Sequence, residues 1–234
     1  MDESFDYFFS RTGLNSKNIE KVFSGVYSSP FHYEDQVKYF QYSGNNGQDP
    51  VLQADLIFNL HKRHGKRILA LFTSKYALNS VYQELRKKPG SRKLPIFAQL
   101  RGSSRHAIIQ GMYRTKNGII LGTNAFWEGI DLPGELLEIL ILAKLPFGVP
   151  SEPVIKAYSN LLQSLNKNPF LEYNVPESVI KFRQGFGRLI RTSQDVGVFF
   201  VMDERVVKKR YGTSFSDSIP VRMDPFSSLN EIRI

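Results

Sequence analysis

Arg67-Ile68-Leu69-Ala70-Leu71-Phe72-Thr73-Ser74 sets an apolar run of strand length directly before two hydroxyls. Tyr76 to Lys88 then has the spacing of an amphipathic helix, closed by Pro89-Gly90. A strand buried on both faces needs a continuous apolar run, and a helix straight after it predicts a parallel crossover unit. The pattern recurs downstream: Pro95 to Ala98 reads as a strand, Ser103 to Lys116 as a basic helix, and Gly118-Ile119-Ile120-Leu121-Gly122 as a third strand. Leu136–Leu145 contains a fourth strand, helices are expected over Glu152–Leu165 and Pro176–Leu189, and Val196–Met202 supplies a fifth strand. Upstream, Asp49-Pro50 is a helix start with Asp as cap and Pro at the first helical position, and Gly65 is its stop. Residues 1–48 read as irregular, with the aromatic cluster Phe5, Tyr7, Phe8 and Phe9 and loops at Ser29-Pro30-Phe31 and Ser43–Gly47. The expected fold class is α/β, a parallel sheet with helices on both faces. Ligands in such sheets bind beyond the carboxyl ends of the strands. Chemistry is therefore expected in the loops after Phe72, Ala98, Leu121, Leu145 and Met202.

Composition narrows the function. The 234 residues are 41% hydrophobic and 13% aromatic, enough for a core, and none is cysteine. A disulfide scaffold, a thiolate metal site, a cysteine-ligated iron–sulfur cluster and a cysteine nucleophile are excluded within these residues. No apolar run approaches a membrane span, and MDESFDYFFS is no signal peptide, so a soluble intracellular protein is expected. The net charge of +9 is unevenly spread. Residues 61–117 hold 14 basic side chains against Glu84 alone, and residues 181–210 hold 8 against 3. Solvated helix faces explain any one lysine; a block of that density points to a polyanion, with nucleic acid as the expected partner.

Three stretches carry candidate chemistry. Thr73 and Ser74 end the first strand, where hydroxyls and backbone amides suit a phosphate; the plainer role is a helix cap. Gly122-Thr123-Asn124-Ala125-Phe126-Trp127-Glu128-Gly129-Ile130-Asp131-Leu132-Pro133-Gly134 has three glycines, the single Trp and two carboxylates with no helical period, so it reads as a functional loop. Gln184-Gly185-Phe186-Gly187-Arg188-Leu189-Ile190-Arg191 ends a helix. Arg188 and Arg191, three apart, are expected on one helix face, where two guanidiniums suit a polyphosphate. Val198 to Glu204 imitates the acidic magnesium strand of a P-loop enzyme, but no glycine-rich loop with Lys-Ser/Thr precedes it, so an autonomous NTPase is rejected. His61 and His64 share a helix face without a third ligand, and no metal site is expected.

These motifs occur in an order that resembles the second motor lobe of the DinG/XPD family, superfamily 2 DNA helicases of 5′-3′ polarity. The resemblance rests on Phe72-Thr73-Ser74, the Gly122–Gly134 loop, Lys144-Leu145-Pro146-Phe147 with Pro150 and Pro153, Gln184–Arg191, and Asp203-Glu204-Arg205. Ser29-Pro30-Phe31-His32-Tyr33 with Gln36 is similar to the family's Ser-Pro-Phe-Asp-Tyr segment, with His32 in place of Asp. The match runs from about Phe5 to Tyr211, and the bacterial DinG branch fits best. The resemblance implies a RecA-like lobe over 49–234 with residues 1–48 as its lead-in, a P-loop NTPase-type fold without its own phosphate-binding loop. That loop, the magnesium-binding acidic box and any iron–sulfur cluster are expected in a first lobe preceding residue 1. By position, Ser74, Thr123, Thr73 and Trp127 would meet single-stranded DNA. Gly129 and Asp131 would approach ATP from its ribose side, with Glu128 ordering the loop. Gln184, Arg188 and Arg191 would reach the phosphates of ATP, which the other lobe holds with magnesium, either arginine being the finger, with Asp203 and Arg205 bracing them. The partners implied are single-stranded DNA and the first lobe in cis, in a monomer of the bacterial cytoplasm associated with the nucleoid. A stand-alone nucleic-acid-binding module and a degenerate helicase-like scaffold are the alternatives.

Overall fold

The computed structural model describes residues 5–14, 21–123, 126 and 137–234. Among them seven strands form one parallel sheet: β1 (Val37–Tyr42), β2 (Ile68–Leu71), β3 (Ile96–Ala98), β4 (Ile119–Gly122), β5 (Ile139–Leu142), β6 (Gly197–Val201) and β7 (Met223–Phe226). Their order is β3-β4-β2-β5-β6-β1-β7, and every neighbouring pair is parallel. The longer helices are α1 (Asp6–Thr12), α3 (Pro50–His64), α4 (Lys75–Lys87), α5 (Arg105–Arg114), α6 (Pro153–Ser164) and α7 (Val175–Phe186), with α2 (Tyr33–Gln36) a single turn before β1.

Alternation along the strands builds two cores. Leu69, Leu71, Ile120, Leu140, Leu142, Phe199 and Val201 pack on one face with Ile108 and Met112 of α5 and Val179, Phe182 and Phe186 of α7. Ile68, Ala70, Ile119, Leu121, Ile139, Ile141 and Phe200 pack on the other with α3 and α4. Both faces are covered, which is why these strands are apolar throughout. The start of α3 is as its sequence indicates: the Asp49 side chain accepts from the Val51 N–H at 3.1 Å, Pro50 opens the helix, and Gly65 closes it at φ +60°.

The reading of residues 1–48 as irregular is corrected at β1, which lies inside the sheet between β6 and β7. Lys38 and Gln41 interrupt its apolar pattern. Gln41 is nevertheless fully buried, because its amide donates to the carbonyls of Tyr42 and Asp203 at 2.9 Å each and accepts from the Tyr39 hydroxyl at 3.0 Å. β7 adds a strand through Asp224 and Pro225, and a proline is tolerated there because the strand is at the sheet edge.

The turn from β1 to α3 crosses over β6 at close range. A Cβ on Gly47 would come within 1.8 Å of the Met202 carbonyl oxygen, and the Gly47 N–H donates to Glu204 at 3.1 Å. Gly47→Ala is expected to destabilise the fold by about 2 kcal/mol, since backbone must shift to admit the methyl group. A denaturation midpoint equal to that of the parent chain would refute this.

Candidate functional site

The carboxyl edge presents the hydroxyl residues. Leu71 of β2 pairs with Gly122 of β4, so the segments that leave these strands, Thr73-Ser74 and Thr123, are neighbours. Ser74 caps α4, its side chain accepting from the Ala77 N–H at 3.1 Å. The plainer role is therefore realised, and because the cap uses only a lone pair, the exposed hydroxyl keeps its proton as a donor. Lys75 and Tyr76 follow, the latter 84% exposed. Thr123 is buried and differently employed: its N–H and its hydroxyl both donate to Gln99 Oε1 at 2.9 Å. Gln99 was legible only as a polar residue straight after a strand; its N–H also extends the sheet by donating to the Leu121 carbonyl at 2.9 Å. Trp127, Glu128, Gly129 and Asp131 lie outside the described residues.

Arg188 and Arg191 sit at the opposite edge, away from the carboxyl ends where the sequence places chemistry. They also do not share a helix face, because α7 ends at Phe186. Gly185 and Gly187 are poor helix formers, and beyond them the chain turns, with the Arg188 N–H donating to the Gly185 carbonyl at 3.2 Å. Gln184 remains exposed on the last turn of α7. Leu189 and Ile190, both buried, wedge the segment against the core between two half-buried arginines.

Asp195 holds the turn that follows. One carboxylate oxygen accepts from the N–H groups of Arg191 at 2.8 Å and Thr192 at 2.9 Å, and the other from the Thr192 hydroxyl at 2.8 Å. Burial alone would raise this carboxyl, but those donors outweigh it and hold it below the usual carboxylate range. From the turn before β1, the buried Gln36 amide donates to the carbonyls of Thr192 at 3.0 Å and Asp195 at 2.8 Å. Gln36 immediately precedes Val37, which pairs with Gly197 of β6, so the arginine segment is fixed at the amino ends of β6 and β1. In the sequence Asp195 carries one faint signal, an acidic residue three positions after a threonine and just before a strand.

Asp203 and Arg205 brace the exit of β5 instead of the arginine segment. The fully buried Asp203 carboxylate accepts from the Leu145 N–H at 2.9 Å and from Arg205 Nε and Nη2 at 2.8 and 2.6 Å. Burial pushes this carboxyl up, yet the hydrogen bonds from Arg205 and Leu145 and the guanidinium charge bring it below its ordinary value. Arg205 also lies over the Phe147 ring at 5.2 Å. The His61 imidazole is buried, which lowers its pKa. Among the described residues no three His, Asp or Glu side chains form a metal-binding group.

The basic block of residues 61–117 is split by the fold. Lys75, Arg101 and Arg105 lie at the carboxyl edge, whereas eight of the fourteen flank the amino ends of β2, β3 and β4.

Residues 57–222 match the helicase C-terminal domain family. The chain belongs to that family. It is 33% identical over 233 residues to the 3′-5′ exonuclease DinG of Bacillus subtilis, spanning 94% of this chain and 24% of that protein. It is 39% identical over 155 residues to the ATP-dependent DNA helicase DinG of Photobacterium profundum, covering 65% of this chain and 22% of that one. The solved structure of apo XPD superposes at a TM-score of 0.63 and 14% identity, covering 82% of this chain and 40% of that chain, and speaks for the fold. The helicase C-terminal lobe thus has the RecA-like sheet expected from sequence. Its matched span contains both the hydroxyl edge and the arginine turn, while β1 and Gln36, which anchor that turn, precede it. No helix among the described residues is long and apolar enough to cross a membrane.

Proposed function

We propose that this chain is the second motor lobe of an ATP-dependent 5′-3′ DNA helicase. In this reading single-stranded DNA runs along the carboxyl edge, and Gln184, Arg188 and Arg191 face the phosphates of ATP held by a first lobe. The observation that carries it is the Asp195 turn, which, with Gln36, fixes an arginine pair at the edge opposite the hydroxyls. A motor needs its nucleotide-facing and strand-facing groups on one rigid body, so that a change at one is felt at the other. The name of the Photobacterium relative, an ATP-dependent DNA helicase, supports the same reading.

The roles follow from the chemistry. Ser74 Oγ–H and the first amides of α4 donate to a strand phosphate, as a helix N-terminus favours negative charge. Thr123, whose hydroxyl proton is given to Gln99, shapes the neighbouring turn. Glu128, Gly129 and Asp131 are assigned to the ribose side of the nucleotide, and Thr73 and Trp127 to the DNA strand. Asp203 does not fit a magnesium site, since Arg205 and Leu145 fill its carboxylate; magnesium is assigned to the first lobe, bound with ATP. The same reading makes residues 49–234 the lobe and 1–48 its lead-in, with β1 of the lead-in completing the lobe's sheet, in a monomer of the bacterial cytoplasm.

Two measurements test it. The 234-residue chain should bind oligo-dT with log affinity falling linearly as log salt rises, by about 0.7 per phosphate neutralised. An affinity indifferent to salt would exclude the strand-binding edge. The same chain should release no phosphate from ATP and magnesium above a buffer blank, and turnover by the pure chain would overturn the division of labour between lobes.

A further inference from the structure

We propose that the amino-terminal rim of the sheet, at β3, β4 and β2, is a second nucleic-acid surface that grips the phosphate backbone of duplex DNA. It depends on the helicase reading only for the choice of DNA as the polyanion. Lys62 and Arg63 end α3, Arg92 and Lys93 precede β3, and Arg114 and Lys116 precede β4. All six are exposed, and none forms an ion pair among the described residues.

Hydrogen bonds join the segments that carry them. The Ile68 N–H donates to the Gly118 carbonyl at 3.0 Å, the Ile119 N–H to the Pro95 carbonyl at 2.9 Å, and Arg67 Nε to the Thr115 carbonyl at 3.0 Å. Neighbouring strands lie about 4.8 Å apart. The six charges stand on segments that lead into adjacent strands, so like charge gathers at this rim and is screened only by salt when no anion is bound. Glu138, at the start of β5, is already engaged by Lys66 at 3.4 Å and by the Arg67 N–H at 3.0 Å.

The chemistry favours a duplex over the other polyanions. Single-strand sites combine charge with a series of aromatic stacking platforms. This rim offers one, Tyr113, 50% exposed. A protein partner would meet an apolar core in its interface, and among the described residues Tyr113 is the one large apolar side chain exposed on the segments that enter β2, β3 and β4. What remains is a set of exposed cations on segments that enter three neighbouring strands, suited to an array of phosphates. It lies across the sheet from Ser74, so both surfaces can be occupied together.

The test is the K62E/R63E/R92E/K93E variant of the 234-residue chain, with its fold checked by circular dichroism. The probes are a short blunt duplex and oligo-dT of the same length. The expected result is at least a roughly tenfold loss of duplex affinity at low salt and a salt slope shallower by about 0.9 for each phosphate contact removed. Affinity for oligo-dT should change less than about twofold, while R101E at the other edge should show the reverse preference. Unchanged duplex affinity, or an equal loss for oligo-dT, overturns the proposal. If the parent chain binds the duplex through the rim and oligo-dT not at all, the rim stands and the strand-binding edge falls. Should the fourfold variant fail to fold, K62E/R63E and R92E/K93E are read separately in the same way.

Discussion

Arg188→Ala or Arg191→Ala, made in the enzyme that contains both lobes, is expected to lower DNA-stimulated ATP turnover about 10³-fold, or about 4 kcal/mol of transition-state stabilisation. Phosphoryl transfer spreads negative charge over the transferred oxygens, and a guanidinium placed there gains more in the transition state than in the ground state. Lysine should rescue neither position well, because it lacks the planar fork of donors. Affinity for single-stranded DNA should be nearly unchanged, since the pair lies across the sheet from Ser74. A positioning role can be separated from a direct one. Asp195→Asn keeps the two arginines but weakens the turn that aims them, so it should lower turnover less than either alanine variant does. Near-normal ATPase in both alanine variants would exclude the arginines from the reaction. Loss of DNA affinity with turnover retained at saturating DNA would move them to the strand path.

The second large effect concerns stability. Asp203→Ala should destabilise the lobe by about 3 kcal/mol, because it strands the Leu145 N–H and the Arg205 guanidinium together. For a domain of this size that is a fall in Tm of roughly 6–12 °C. The same carboxylate gives a pH dependence. Its folded pKa is depressed, so its contribution is complete above the unfolded value of about 3.9 and is lost as pH falls through the lower folded one. Acid unfolding should therefore begin at a higher pH in Asp203→Asn, which lacks the stabilising charge. A thermal melt of Asp203→Ala indistinguishable from the parent would show that Leu145 and Arg205 find other partners at no cost.

Much of the sheet was legible because burial on both faces leaves little choice of residue. Ile68–Leu71, Ile119–Gly122, Ile139–Leu142 and Gly197–Val201 are apolar runs, and any reading by periodicity finds them. Asp49-Pro50 and Gly65 marked the bounds of α3 because a cap, a fixed φ and a left-handed residue are local requirements. The family was legible for a related reason: its motifs are short, and their residue types are set by contact with phosphate or by tight turns.

What the sequence alone could not determine depends on partners far along the chain. β1 was missed because Gln41 looks like a surface residue until Tyr39, Tyr42 and Asp203 supply its hydrogen bonds. Spacing alone places the arginine pair on a helix, because it carries no trace of Asp195, or of Gln36, which meets the turn from 156 residues away. Counted along the chain, the basic block forms one footprint. Parallel topology sends every strand-to-helix turn to one edge and every helix-to-strand turn to the other, and so divides neighbouring charges between two surfaces. Local chemistry, burial and turn geometry are thus written in adjacent residues. Which edge of the sheet a residue occupies, and which buried polar group meets which, is decided only when the strands take their order.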